Sequence, residues 1–413
     1  MKIAIAEHPV NSQGGLLTWA ENMVVGLREI GHDVEHIMLR HTTKVVDSDR
    51  DEGQYGHWEP AVSGKIHTLY GWKFDLSHII PYKGKESLTR TLERLAGYDL
   101  VIWNVPVPTR QKCNQGNVVW PLLYKACAKN IGVIHDGNVE SYSWVALVEW
   151  TGLACVHPCA FKMSYFVPTK RTIILSPHNL EGIGKGRKWG ERENSLLSIH
   201  TWKFWKRGDK LVRMIPYLKK DVRKVVGGKG IEQYYMSSED KVKDIYTENG
   251  IPIWKTALES GMEYIGPTTT SERDEWMRKM KVFVDYSWSE KYVPYGAHIN
   301  RTIVEAMING MVVCTTEMNH LPPLVMHMLP SGSIKEAELI ESILHISEGE
   351  YYSIVEMNYE TIKMFDRKVI AQQMIDLAYG KDTGLYGKLE EGFLPDHTKR
   401  MAEIDFSYFE EGI

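Results

Sequence analysis

Short apolar runs alternate with amphipathic stretches along most of the chain. Residues 2–6 form a run that predicts a buried strand. After the loop Asn11-Ser12-Gln13-Gly14-Gly15, apolar side chains at Leu16, Ala20, Met23, Val24 and Leu27 recur at helical spacing, and Gly31 stops the helix they predict. A strand follows at Val34–Leu39, which completes a β-α-β unit with a right-handed crossover. Helical spacing returns at 86–96, and buried strands are predicted at Asp99–Trp103, Ile131–Ile134, Leu153–His157 and Thr172–Leu175. The stretch 181–194 is poor in apolar residues and reads as an interdomain linker. Beyond it the pattern restarts, with strands at Leu196–Ile199, Lys224–Val226, Met262–Ile265, Val282–Asp285 and Met311–Thr315. Helices are predicted at 208–219, 272–280, 299–309 and 366–379, the last able to cross back to the first domain. Strands alternating with helices in both halves predict two open α/β sheets.

A chain of 413 residues is long enough for two cores, and 43% apolar with 25% charged residues is a soluble globular profile. The net charge of −4 removes any global attraction to nucleic acid or membrane. Five cysteines suggest no disulfide framework, so a reducing cytoplasm is expected. No apolar run approaches the length of a membrane span or a signal peptide.

Candidate chemistry gathers at strand ends. Gly14-Gly15 precedes a helix N-terminus, where backbone N–H groups and the helix dipole favour an anion; a plain tight turn is the other reading. His135-Asp136 closes a strand, the edge where open α/β sheets bind ligands, and pairs an imidazole with a carboxylate. Lys203, Lys206 and Arg207 follow the first strand of the second half, where fixed positive charge would suit a departing diphosphate; an ordinary solvated basic loop fits as well. Gly296–Thr315 leads a glycine loop into a helix that opens at Arg301, Thr302 and Ile303 and carries Glu305, able to accept two ribose hydroxyls; Gly266-Pro267 lies upstream. Residues 185–224 hold thirteen Lys or Arg against four acids, with Trp189, Trp202 and Trp205 interleaved. Such a run can track a nucleic-acid backbone, with Lys185, Arg187, Lys188 and Arg192 as its candidates, or be a solvated face. Asp47-Ser48-Asp49 and Cys155-Val-His157-Pro-Cys159 lack further ligands at metal-site spacing, so no metal is assigned.

Gly14-Gly15 opening a helix that ends at Gly31-His32, Gly266-Pro267, and Glu305-Ala-Met-Ile-Asn-Gly310 together resemble retaining-type GT-B glycosyltransferases over about residues 1–380. Asp99-Leu-Val-Ile-Trp-Asn-Val-Pro106, Val133-Ile-His135-Asp136 and Trp205-Lys206 resemble the DNA α-glucosyltransferases of T-even phages, which glucosylate 5-hydroxymethylcytosine in duplex DNA from UDP-glucose. The resemblance implies two facing Rossmann-like domains with a deep cleft between them. It implies an acceptor domain at 1–185, a donor domain at 186–380 and a tail at 381–413. Gly14, Gly15, Lys203, Lys206, Gly266, Pro267, Arg301, Thr302 and Glu305 would bind the UDP-sugar, and His135 and Asp136 would line the reaction centre. The sequence departs from that family at Thr201, where an Arg is usual, and at Ala297, where a second Glu is usual, which leaves the stereochemical outcome open. The implied activity is transfer of a hexose or pentose from a UDP-sugar, with no obligatory cofactor, to a hydroxymethylated pyrimidine in double-stranded DNA. The rivals are a glycosyltransferase for cell-surface polysaccharide or another small acceptor, and a non-enzymatic DNA-binding protein.

Overall fold

The computed structural model describes residues 1–7, 15–39, 66–69, 92–104, 125–135, 150–156, 169–200, 202, 206–228, 247–248, 251–286, 300–316, 327–330 and 332–381. The chain divides into two compact units, one of Met1–Asn179 with the segment that begins at Met364, the other of Leu180–Lys363.

The first unit is built on a seven-stranded sheet of β1 (Lys2–Glu7), β2 (Asp33–Leu39), β3 (Ile66–Leu69), β4 (Leu100–Asn104), β5 (Asn130–Ile134), β6 (Gly152–Cys155) and β7 (Arg171–Ile173). Its order is β3-β2-β1-β4-β5-β6-β7, and every pairing is parallel. Parallel strands are covered on both faces, which is why β4, β5 and β6 are buried along their whole length. Helix α1 (Gly15–Glu29) ends as Gly31 anticipates: Gly31 takes φ +92°, and the N–H of His32 donates to the Leu27 carbonyl at 3.1 Å.

The chain's last described helix, α8 (Arg367–Ala378), packs on α1, β5 and β6 of this first unit. It crosses back to the first unit, as the sequence allowed, so the second unit ends at Lys363 and not at 380. Two glycines make the packing possible. A Cβ on Gly26 would lie 2.3 Å from the Arg367 carbonyl oxygen, and one on Gly152 would lie 2.6 Å from the Leu377 side chain. Arg367 Nε donates to Glu29 at 2.8 Å, and its N–H donates to the His178 carbonyl at 3.0 Å.

The second unit repeats the plan. Its sheet contains β8 (Glu193–Ile199), β9 (Arg223–Gly227), β12 (Met262–Tyr264), β13 (Met280–Asp285), β14 (Val312–Thr315) and β15 (His327–Met328), in the order β12-β9-β8-β13-β14-β15 and again all parallel. A small antiparallel pair, β10 (Thr247–Glu248) and β11 (Ile251–Pro252), stands apart. The helices are α2 (Gly208–Met214), α3 (Ile253–Glu259), α4 (Thr270–Lys279), α5 (Arg301–Ile308), α6 (Ser333–Leu344) and α7 (Glu348–Ile362). Pro216 turns the end of α2 into a 3-10 turn at Ile215–Tyr217, which shortens the helix expected to reach 219. Helices α4 and α7 start with complete capping boxes, Thr269 with Glu272 and Ser347 with Glu350. The core joins Leu196, Val226, Val282, Val284 and Val312 from the strands to Leu211, Ile340 and Val355 from the helices.

The stretch read as a linker belongs to this second unit. Trp189 is buried, stacks on Tyr351 with ring centroids 4.6 Å apart and donates to the Ile346 carbonyl, and β8 already begins at Glu193.

Gly26→Ala should force α1 and α8 apart and destabilise the first unit by roughly 1–3 kcal/mol, the cost of an overpacked contact. A urea unfolding curve unchanged from wild type would show that the helices yield without cost.

Candidate functional site

In each sheet the strand order reverses beside the unit's first strand, between β1 and β4 and between β8 and β13. The carboxyl ends of such strands are the ligand-binding edge of an open α/β sheet. Of the described candidates, Gly15, His135, Lys206, Gly266, Pro267, Arg301, Thr302 and Glu305 follow strands on that edge, whereas Lys185, Arg187, Lys188 and Arg192 precede β8.

In the second unit, β8 runs into His200, β13 ends at Asp285, and Asn300 begins α5. Asp285 is 2% exposed and Asn300 7%. The Asn300 amide donates to both Asp285 carboxylate oxygens, at 3.1 and 3.0 Å, and its carbonyl oxygen accepts from Lys206 Nζ at 2.6 Å. His200 joins this group through its electrostatic interaction with Asp285 and Lys206. Its Nδ1 is shut away from solvent with no hydrogen-bond partner, and its ring lies 4.7 Å from that of Trp202. Burial pushes the His200 pKa down to about 4, against the opposing pull of Asp285, so the imidazole is neutral at pH 7.

One turn into α5 stands Glu305, 6% exposed. Its Oε1 accepts from Arg301 Nε at 2.9 Å and from an Arg273 terminal nitrogen at 3.1 Å. Arg273 Nε also pairs with Oε2 at 2.7 Å. Arg301 is thus turned along its own helix towards Glu305. Thr302, half-buried, occupies the first turn beside it. Gly266 and Pro267 follow β12 on the same edge: Gly266 takes φ +73° and its carbonyl accepts from the Gly228 N–H at 2.7 Å. Gly228 approaches so closely that an added Cβ would lie 1.7 Å from the His200 carbonyl oxygen.

In the first unit His135 follows β5 and its Nε2 lies 2.5 Å from Asn104 Oδ1 at the end of β4, beside the reversal. The Trp19 ring of α1 meets it edge-on at 5.3 Å. Gly15 is the first residue of α1. Gly14, Asp136 and Lys203 lie outside the described residues, as do Thr201, Trp205, Ala297, Asp47–Asp49 and Cys159.

The nucleic-acid candidates separate. Lys185, Arg187 and Lys188 are exposed. Arg192 has to be withdrawn: it is 4% exposed and donates to the carbonyls of Arg187, Met277, Met280 and Asn309, at 2.6 to 3.1 Å. A guanidinium spent on four buried carbonyls has no face left for a phosphate. Trp189 and Trp202 are buried as well and cannot stack on bases. Lys224, counted in the same basic run, is 2% exposed and donates to the Lys219 and Ser260 carbonyls.

Sequence reasoning missed His200, Asp285, Asn300 and Arg273. The strand-end rule that singled out His135 applies equally to His200 and Asp285. Arg273 carries no local signal, since it meets Glu305 only through the packing of α4 beside α5.

No family model matches the sequence, and no curated protein matches it significantly. Solved structures do match the fold. HepE of Anabaena in complex with UDP-glucose is 14% identical with a TM-score of 0.61, covering 92% of this chain and 100% of that one. An alpha-glucosyltransferase in complex with UDP and a 13-mer DNA containing an HMU base is 14% identical with a TM-score of 0.63, over 92% and 99%. A TarM variant of S. aureus, in complex with fondaparinux, alpha-GlcNAc-glycerol and UDP, is 11% identical with a TM-score of 0.60, over 91% and 99%. The chain therefore has the GT-B class of fold, with two Rossmann-like domains.

A histidine whose folded pKa lies below its unfolded value of about 6.5 is protonated more readily in the unfolded chain, so it favours folding above pH 6.5 and loses that contribution as the pH falls towards 4. The urea midpoint should drop over this interval, and less steeply in His200→Gln. Superimposable curves for the two proteins would contradict the neutral imidazole.

Proposed function

We propose that the chain is a glycosyltransferase that moves a sugar from a UDP-sugar to a hydroxyl acceptor, the 5-hydroxymethyl group of a modified pyrimidine in DNA. The observation that carries the donor half is the edge of the second sheet. Lys206 and the N-terminus of α5 supply positive potential there, and the buried Oε2 of Glu305 retains unspent acceptor capacity. The fold neighbours captured with UDP support the same reading.

In this mechanism the anomeric carbon breaks its bond to the diphosphate oxygen and forms one to the acceptor oxygen. Charge grows on the departing diphosphate, and fixed donors aimed at it lower the barrier because they need no reorganisation. Lys206, assisted by Lys203 and the α5 N–H groups, would hold that charge. Glu305 would take the ribose hydroxyls, and the Gly266-Pro267 backbone, with Gly15 and Gly14 of the first unit, would approach the nucleotide and sugar. His135 and Asp136 would receive the acceptor; Asp136 is the carboxylate suited to take its proton, and His135 the imidazole that orients it. A hydroxymethyl group in duplex DNA is held in the stack, so its base would have to be flipped out.

The DNA acceptor draws support from the neighbour bound to HMU-containing DNA and from Lys185, Arg187 and Lys188. The withdrawal of Arg192, Trp189 and Trp202 favours the second reading, a small hydroxyl acceptor, as does the neighbour bound to alpha-GlcNAc-glycerol.

Incubation with a panel of UDP-sugars and DNA containing cytosine, 5-hydroxymethylcytosine or 5-hydroxymethyluracil, followed by digestion and mass spectrometry, should add one sugar to a hydroxymethylated nucleoside. UDP-sugar turnover on small hydroxyl acceptors alone would select the second reading, and DNA binding without any transfer would select a non-enzymatic protein. Glu305→Ala should weaken UDP binding about tenfold, as expected for losing a hydrogen-bonded charged group worth roughly 1.5 kcal/mol; unchanged affinity would move the donor elsewhere. If Lys185, Arg187 and Lys188 each meet one phosphate, replacing all three by Ala should reduce the salt slope of DNA binding by about 3. An unaltered slope would remove them from the interface.

A further inference from the structure

The residue that leads into a helix normally keeps an extended backbone. The residues that lead into α4, α5, α7 and α8 do so, with φ between −56° and −70°. Arg207, which leads into α2, does not. At φ +47° and ψ +36° it is left-handed, and among the described residues it alone combines a positive φ with a side chain. Helix α6 also starts from a positive φ, but there the residue is Gly332. An L side chain in this region crowds its own backbone, a cost that glycine escapes. A glycine stands next door at Gly208, already inside the helix, yet the left-handed position holds an arginine.

The arginine supplies what a glycine lacks. Its Nε and a terminal nitrogen donate to the two carboxylate oxygens of Asp209, each at 3.0 Å. Asp209 is buried, and a bidentate pair fixes orientation as well as distance. Immediately before the turn stands Lys206, whose Nζ meets Asn300 at the opening of α5.

We propose that Arg207 and Asp209 are positioning residues: their side-chain pair clamps a left-handed turn that carries the β8–α2 connection to the donor edge. The proposal rests on the donor site proposed above. A strained residue persists only where its surroundings over-determine it. With the clamp released, Arg207 relaxes to a right-handed or extended backbone, and the chain before it, Lys206 included, leaves its place beside α5.

Calorimetric titration of the full chain with UDP tests this. Asp209→Asn turns an NH2 towards the guanidinium and breaks the bidentate pair. It also removes a negative charge, which by itself would favour an anion nearby. The clamp predicts the opposite, a UDP affinity about tenfold below wild type, the factor that matches the usual cost of a left-handed L residue. Adding Arg207→Gly to Asp209→Asn should restore most of the loss, because glycine takes the left-handed turn unaided. An affinity of Asp209→Asn equal to or above wild type overturns the proposal, and so does a double variant no better than Asp209→Asn.

A second pair of variants applies if Asp209→Asn does not fold. Arg207→Ala and Arg207→Gly both delete the guanidinium and its charge, and they differ in the cost of the left-handed turn. The alanine variant should bind UDP about tenfold more weakly than the glycine variant. Equal UDP affinities, with or without a difference in urea stability, would make the turn a matter of folding alone and overturn the proposal. Wild-type protein that binds no UDP refutes the donor site itself, a result distinct from these.

Discussion

Every pairing in the two large sheets is parallel, and parallel strands in an α/β domain must be covered on both faces. The strands are therefore apolar along their length, as in the uniformly buried β4, β5 and β14. Polar side chains with chemistry to perform are pushed to the strand ends. Only the carboxyl ends, where helix N-termini also arrive, combine exposed donors with fixed positive potential. Asn104, His135, His200 and Asp285 are all found at such ends, so the constraint that stabilises each core also decides where a ligand can be held.

Burying charge near those ends requires full satisfaction of each group, and the second unit shows two solutions. Arg192 spends its guanidinium on four carbonyls, among them that of Asn309 at the end of α5. Tyr351 donates to the next carbonyl, of Gly310, at 2.8 Å. These bonds fix the far end of the helix whose near end carries Asn300 and Glu305. Arg192 thus anchors the far end of α5. Removing it would strand several buried acceptors, each costing about 1–3 kcal/mol.

The alternation of strands and helices was legible because parallel strands and amphipathic helices leave clear periods. So were the ends marked by particular chemistry, such as Gly31 after α1. The limits of that reading were physical. Residues 181–194 looked like a linker because they are poor in apolar residues, yet Trp189 and Arg192 are buried through contacts with α7, α4 and α5, partners up to 157 positions away. A charge count cannot tell a guanidinium that faces water from one that closes buried carbonyls. The crossing of the last helix to the first unit was expected, but not the Gly26 and Gly152 contacts that admit it, since neither glycine announces a partner more than two hundred residues distant. Glu305 was legible because its helix-glycine-strand setting is local. Arg273, Asp285 and Asn300 were not, because each acquires its role only when α4, β13 and α5 converge.

The pairing around Glu305 makes sense of an arrangement that seems at first to waste charge. Two arginines bonded to one carboxylate would leave nothing for a ribose if both oxygens were saturated. Arg301 and Arg273 both donate to Oε1, while Oε2 has the Arg273 Nε ion pair at 2.7 Å, and each carboxylate oxygen has two lone pairs. The guanidiniums lock its orientation. They leave one oxygen whose acceptor capacity a hydroxyl can use.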